Sequence, residues 1–98
     1  AFELVTPSIE LVICGSGPDA IPVARLASAM GWKVSVVDPR PVAFTPSERF
    51  GAARVVECAH GERLARAVAL TPRTAAIIMS HNYERDLDYL EVLQREGL

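Results

Sequence analysis

The chain has 98 residues, of which half are hydrophobic and 22% are charged, so we expect one folded domain rather than a disordered segment. The net charge is −2 at pH 7, and the Lys and Arg residues are scattered, which argues against a nucleic-acid partner. No apolar run is long enough for membrane insertion, and we expect no secretory leader, because the first residues lack a basic region followed by an apolar one. Cys14 and Cys58 form no CxxC pattern, so we expect reduced thiols in a cytoplasmic protein and no metal site.

The predicted elements alternate between strands and helices along the chain. Short apolar runs ended by turn residues indicate strands, and runs with apolar residues every three or four positions indicate helices. We expect an edge strand over residues 2–6, core strands over 9–14, 33–38, 54–58 and 75–79, and a stiff, proline-rich loop over 39–46. Helices are predicted over 19–30, over 62–70 and from Asn82, as the cap, to about residue 96. The last helix has a predicted buried stripe of Tyr83, Leu87, Leu90 and Leu93.

This order of elements predicts an α/β fold of the Rossmann-like type, with a mostly parallel sheet between two layers of helices. Right-handed crossovers between parallel strands give the strand order 3-2-1-4. Residues 1–98 then form a single domain that ends where a fifth strand would normally follow. We therefore expect an incomplete domain from a longer protein.

A glycine-rich turn joins the first core strand to the first helix. Gly15 would supply the tight turn, Gly17 would let a phosphate approach the backbone, and Ala20 would let the helix pack closely on the strand. Such a turn is typical of dinucleotide-binding domains, which makes NAD(P) a candidate ligand. Pro18 and Asp19 oppose that interpretation, because proline lacks an N–H donor and an acidic side chain repels an anion.

Asp38 ends the second predicted core strand, 23 residues after Gly15. An acidic residue at this place accepts hydrogen bonds from ribose hydroxyls in dinucleotide-binding domains. A surface carboxylate that caps the loop before Pro39 is the alternative. Arg40 would either form an ion pair with Asp38 or approach a phosphate of the ligand.

The stretch of Ser80, His81 and Asn82 directly follows the fourth predicted core strand. Ligands of open α/β sheets bind at the carboxyl ends of the strands, near the point where the strand order reverses. His81 would then face the same crevice as Gly15, Gly17 and Asp38. A loop histidine that contacts Asp86 or the helix backbone is equally compatible with the sequence. No nucleophile–base pair accompanies His81, so we assign no catalytic residue.

Three strings together resemble the C-terminal Rossmann-like domain of the XdhC/CoxI family. They are Leu11–Gly17, Val36–Pro41 with its Asp-Pro-Arg step at residues 38–40, and Met79–Asp86 with its block from Ser80 to Asp86. The resemblance implies a cytoplasmic accessory factor that binds the molybdenum cofactor (molybdopterin), protects it during sulfuration and passes it to a xanthine dehydrogenase-type molybdoenzyme. The cofactor-binding residues that it implies are Gly15, Ser16, Gly17, Asp38, Arg40, His81 and Asn82. Pro18 departs from the histidine expected after the second glycine.

The leading expectation is thus a cofactor chaperone, and its status as an enzyme stays open. A cysteine desulfurase and a second copy of the chain are further partners that the resemblance leaves open. A regulatory domain that binds NAD(P) or another nucleotide is the main alternative. A domain that keeps the fold but serves only in assembly would bind no small molecule and would expose an apolar docking surface.

Overall fold

A computed structural model of the chain describes residues 9–40 and 47–97. The edge strand predicted over residues 2–6 and most of the loop predicted over 39–46 lie outside this part. The strands are β1 (Glu10–Cys14), β2 (Lys33–Asp38), β3 (Arg54–Glu57) and β4 (Thr74–Ile78), and the helices are α1 (Ala20–Ala29), α2 (Leu64–Ala67) and α3 (Tyr83–Arg95). Short 3-10 turns cover Ser47–Phe50 and Gly61–Arg63. Each core strand is confirmed to within one residue at either end.

The four strands form one parallel sheet in the order β3-β2-β1-β4, as the crossover rule predicts. Cys14 at the end of β1 is level with Val37 of β2 and Ile78 of β4. Asp38 at the end of β2 is level with Glu57 of β3. The carboxyl ends of all four strands therefore meet at one edge of the sheet.

Apolar side chains cover both faces of the sheet and give the three layers expected for this fold. On one face, α1 buries Ala20, Ala24 and Ala27, whose small side chains let the helix lie close to β1 and β2. On the other face, α2 and α3 pack against the alternate strand residues. That second layer of the core is made of Val12, Cys14, Val37, Cys58, Leu64, Val68, Tyr89, Val92 and Leu93. Within the described residues, no helix has the length and hydropathy needed to cross a membrane.

The helix predicted over residues 62–70 is shorter than expected. A 3-10 turn over Gly61–Arg63 precedes α2, and the chain leaves helical geometry at Val68, where φ is −134° and ψ is 145°. Val68 is nevertheless buried, in the same layer of the core as Leu64. Its apolar character therefore reflects core packing and not a continued helix.

The buried stripe predicted for α3 is wrong in three of its four positions. Tyr83 is 78% exposed and Leu87 and Leu90 are 41% exposed, so only Leu93 of that stripe is buried. The helix instead turns Tyr89, Val92 and Leu93 toward the sheet.

Polar contacts decide this rotation of α3. The carboxylate of Asp86 accepts a hydrogen bond from the Ser80 backbone, and that of Asp88 accepts one from the Gly61 backbone. The hydroxyl of Tyr89 donates to the Cys58 carbonyl oxygen at 2.7 Å. These contacts form only when the face of α3 with Asp86 and Tyr89 points toward the sheet. They, and not the predicted apolar stripe, therefore fix the rotation of the helix.

Candidate functional site

Gly15 makes the turn that follows β1. Its φ is +150°, and a Cβ atom at this position would lie 2.5 Å from the Met79 carbonyl oxygen. The Gly15 N–H donates to the Val37 carbonyl oxygen at 3.2 Å, which holds the turn against the end of β2. Backbone from three strands thus converges here, and the prediction that glycine is needed for a tight turn is confirmed.

Position 17, by contrast, does not require a glycine for its backbone conformation or its packing within the chain. Its φ lies outside the left-handed region, and a Cβ atom would meet only Asp19 Oδ1, at 3.0 Å, which is the movable end of a side chain. Among the described residues, none accepts a hydrogen bond from the N–H groups of Ser16 and Gly17. An open approach to two backbone donors is what an anionic ligand group requires.

The start of α1 carries an acidic side chain, Asp19, that contacts a histidine. The carboxylate of Asp19 lies 2.5 Å from His81 Nε2, and both side chains are exposed. The hydrogen bond from His81 is the main cause of a pKa of Asp19 below its ordinary value. The contact joins the loop after β4 to the start of α1, so the partner of His81 is Asp19 and not Asp86.

Asp38 is fully buried at the end of β2, and its carboxylate is already bound on both oxygens. The Ser16 hydroxyl donates to Oδ2 at 2.5 Å, and the Arg40 N–H donates to Oδ1 at 2.7 Å. The Arg40 guanidinium adds bonds of 3.1 Å and 3.0 Å to the same two oxygens. The ion pair proposed for Arg40 is therefore present, and it raises the pKa of Arg40 further. Asp38 holds the glycine turn and the loop after β2 in place.

The loop between β4 and α3 is held by its own polar side chains. The Ser80 hydroxyl and N–H both donate to Asp86 Oδ1. Asn82 caps α3 as predicted, because its Oδ1 accepts from the Arg85 N–H at 2.9 Å. His81 between them has a φ of +63°, which turns its side chain toward Asp19.

A crevice of about 320 Å³ lies among these three loops at the carboxyl edge of the sheet. Five of the seven residues that the resemblance implies for the cofactor line it, whereas His81 and Asn82 lie beside it. Ser80 and Arg85 line it as well, and Arg85 was not predicted, because only the observed rotation of α3 brings it to the crevice. The lining residues are Gly15, Ser16, Gly17, Asp38, Pro39, Arg40, Ser80 and Arg85.

Two larger cavities lie elsewhere on the protein. One, of about 470 Å³, lies toward the amino ends of the strands beside Trp32 and Lys33, and the other, of about 510 Å³, is an open depression beside α3. Ligands of parallel α/β sheets bind at the carboxyl ends, where loops supply backbone donors. The smaller crevice is therefore the candidate ligand site.

The two cysteines are buried thiols and not reactive groups. Burial raises the pKa of Cys14 to about 12 and also raises the pKa of Cys58. Both are free, and the Cys58 thiol donates to the His60 carbonyl oxygen at 3.1 Å. In the part of the chain that the structure describes, no group of three His, Cys, Asp or Glu residues is arranged to hold a metal ion.

Comparison with known proteins links this crevice to one family. The family model of the XdhC Rossmann domain matches residues 11–97, a stretch that contains all three loops of the crevice. The chain is 32% identical over 97 residues to a probable xanthine dehydrogenase subunit from Bacillus subtilis (strain 168), and the match covers 99% of this chain and 29% of that protein. A crystal structure of a xanthine dehydrogenase from Bacillus halodurans is similar with a TM-score of 0.79 and 28% identity, covering 93% of this chain and 28% of that one. The chain thus spans under a third of the length of these relatives, and it belongs to the XdhC Rossmann-domain family.

Proposed function

We propose that this chain is the Rossmann-like part of a maturation factor for a xanthine dehydrogenase-type molybdoenzyme, and that its crevice binds the molybdenum cofactor. The family match and the names of the relatives support the link to xanthine dehydrogenase. The observation that carries the proposal is the crevice itself, which joins the glycine turn, the Asp-Pro-Arg step and the loop after β4. The cytoplasm is the expected location, and a cysteine desulfurase and a second copy of the chain are further partners to test.

The residues of the crevice fit one end of such a cofactor. A pterin–dithiolene cofactor carries a phosphate, and the crevice offers the N–H groups of Ser16 and Gly17 together with the arginines at its wall. Its volume is near the lower end of the range of about 300–1,000 Å³ that is usual for ligand pockets. The crevice would therefore hold the phosphate end and leave the rest of the cofactor toward solvent or another part of the longer protein. The bound cofactor supplies the molybdenum chemistry, and the chain's own residues bind and orient it.

Nucleotide or NAD(P) binding is the alternative, and the surroundings of Asp38 weigh against it. Both oxygens of that carboxylate already accept from Ser16 and Arg40, so a ribose would have to displace existing donors. Pro18 also withholds one N–H from the start of the helix. A calorimetric titration with NAD(H) and NADP(H) tests this alternative, and we expect them to bind no more tightly than inorganic phosphate does.

The main test is the pterin content of the natural protein that carries this sequence, purified from cells supplied with molybdate. The protein is denatured, the released pterin is oxidised, and its fluorescence is quantified per chain. We expect near-stoichiometric pterin in the wild type and a several-fold lower content in Gly17→Ala, because the new Cβ atom narrows the approach to the two backbone donors. The matched control is Lys33→Ala, at the opposite end of the sheet, which should keep its pterin.

Gly17→Ala is suited to this test because we expect the fold to tolerate it after a small shift of the Asp19 side chain. Its Cβ atom would meet only the end of the Asp19 side chain. Wild-type protein without pterin would contradict the proposed function. Full pterin in Gly17→Ala, with wild-type protein also loaded, would place the cofactor outside this crevice.

A further inference from the structure

The crevice contains three charged side chains, and two of them neutralise each other. The Asp38 carboxylate forms an ion pair with the Arg40 guanidinium at 3.0 Å. The third is Arg85, on the first turn of α3, whose side chain is half-buried. In residues 9–40 and 47–97, the Arg85 guanidinium has neither a hydrogen-bond acceptor nor an ionic partner, and only its backbone N–H is bound, to Asn82.

The acidic residues near Arg85 do not supply the missing partner. Asp86 on the same helix accepts from Ser80, and Asp88 accepts from the Gly61 N–H at 2.6 Å. Arg85 also lines the open depression beside α3, together with Glu84, Asp88 and Glu91. These three carboxylates repel an anion from the depression, so an anion would reach the guanidinium through the crevice.

The lining of the same crevice also contains uncharged donors. The N–H groups of Ser16 and Gly17 lack acceptors among the described residues, and the nearest side chain to the Gly17 Cβ position is the Asp19 carboxylate, which contacts His81. A phosphate ester has several acceptor oxygens, so it suits a guanidinium on one side and backbone N–H groups on the other.

We infer that Arg85 is the anion-binding residue of this crevice, and that the ligand is held there by a phosphate ester group between Arg85 and the glycine turn. Asp38 and Arg40 then act as positioning residues, since they hold the turn and the loop after β2. The inference rests on the proposed function for the choice of the crevice, but it concerns the chemistry of the ligand and not its molybdenum. It assigns a ligand contact to Arg85, which lies within the block from Ser80 to Asp86 but is not among the cofactor-binding residues that the resemblance implies.

The experiment is a titration of the isotopically labelled protein with inorganic phosphate and with AMP, followed by NMR of the backbone amides and of arginine Nε. We expect the amide signals of Ser16 and Gly17 and the Nε signal of Arg85 to shift along one saturable curve. Arg85→Gln should weaken phosphate binding roughly tenfold or more, as expected for the loss of a charge-assisted contact. The matched control is Arg95→Gln, an exposed arginine in the last turn of the same helix, which should stay within about twofold of the wild type.

Phosphate binding in Arg85→Gln within about twofold of the wild type, with an unchanged amide spectrum elsewhere, would overturn the inference. The inference would also be overturned if other signals shifted along a saturable curve while the amide signals of Ser16 and Gly17 stayed unchanged. Tighter binding of AMP than of phosphate would assign the phosphate to a nucleotide form of the ligand, and equal affinities would assign it to a form without a nucleoside; both support the subsite.

The pterin measurement fails or succeeds independently of this titration. Protein without pterin that still binds phosphate through Arg85 would remove the proposed function and keep the subsite. Full pterin content in Arg85→Gln would keep the proposed function and would show that Arg85 does not contact the ligand.

Discussion

Replacing Asp38 by Asn should destabilise the fold far more than a surface substitution, because this carboxylate organises two loops from a fully buried position. The substitution keeps the shape of the side chain but removes its charge. It also replaces one acceptor oxygen by an NH₂ group that faces donors. If the NH₂ group faces Ser16, the hydroxyl must reverse its role and accept, and if it faces Arg40, the backbone N–H loses its acceptor.

The size of the effect follows from those two hydrogen bonds. A bond to a charged group contributes about 1.5–3 kcal/mol, and an unpaired buried donor costs a similar amount. The Arg40 side chain is 58% exposed, so its guanidinium can return to water and its ion pair adds little. We therefore expect a loss of about 2–3 kcal/mol in the free energy of unfolding, which lowers the Tm of a domain of this size by roughly 10–20 °C.

Thermal and urea unfolding followed by circular dichroism measure this loss directly. The matched control is Glu57→Gln, because Glu57 is level with Asp38 on the neighbouring strand but is exposed. We expect the control to stay within about 0.5 kcal/mol of the wild type. A Tm for Asp38→Asn equal to that of Glu57→Gln would refute the assignment of Asp38 as the residue that holds the glycine turn.

Three further predictions concern the core around the crevice. Gly15→Ala should prevent folding or expose the chain to proteolysis, because its Cβ atom would lie 2.5 Å from the Met79 carbonyl oxygen; a wild-type melting curve would contradict this. Tyr89→Phe should lower the free energy of unfolding by about 1–2 kcal/mol, since the Cys58 carbonyl oxygen loses its buried donor, and unchanged urea denaturation would count against that bond. Cys14 should stay unreactive toward iodoacetamide at pH 8 until the protein unfolds. Because its pKa rises from 9.0 to about 12 on folding, stability should fall as pH rises from about 9 toward 12, and a flat pH profile of stability there would contradict the burial of this thiol.

The sequence alone determined the parts of the fold that depend on local chemistry. Apolar runs ended by turn residues located the strands, and the handedness of crossovers set their order. The glycine at the turn after β1 and the cap at Asn82 were also predictable, because a tight turn and a helix start each admit few residue types. The edge of the sheet that carries the crevice follows from the same information.

Only the tertiary structure decided which side chains face one another at that edge. Helix α3 carries two apolar stripes, and the contacts of Asp86 and Tyr89 with other elements, not hydropathy, selected the buried one. That choice of rotation brings Arg85 to the crevice. The partners of Asp38 and of His81 were likewise open in the sequence, because a charged side chain has several possible partners near the strand ends and their distances exist only in the folded chain. Motifs therefore indicated where the candidate site lies, and packing decided which of its side chains contact one another.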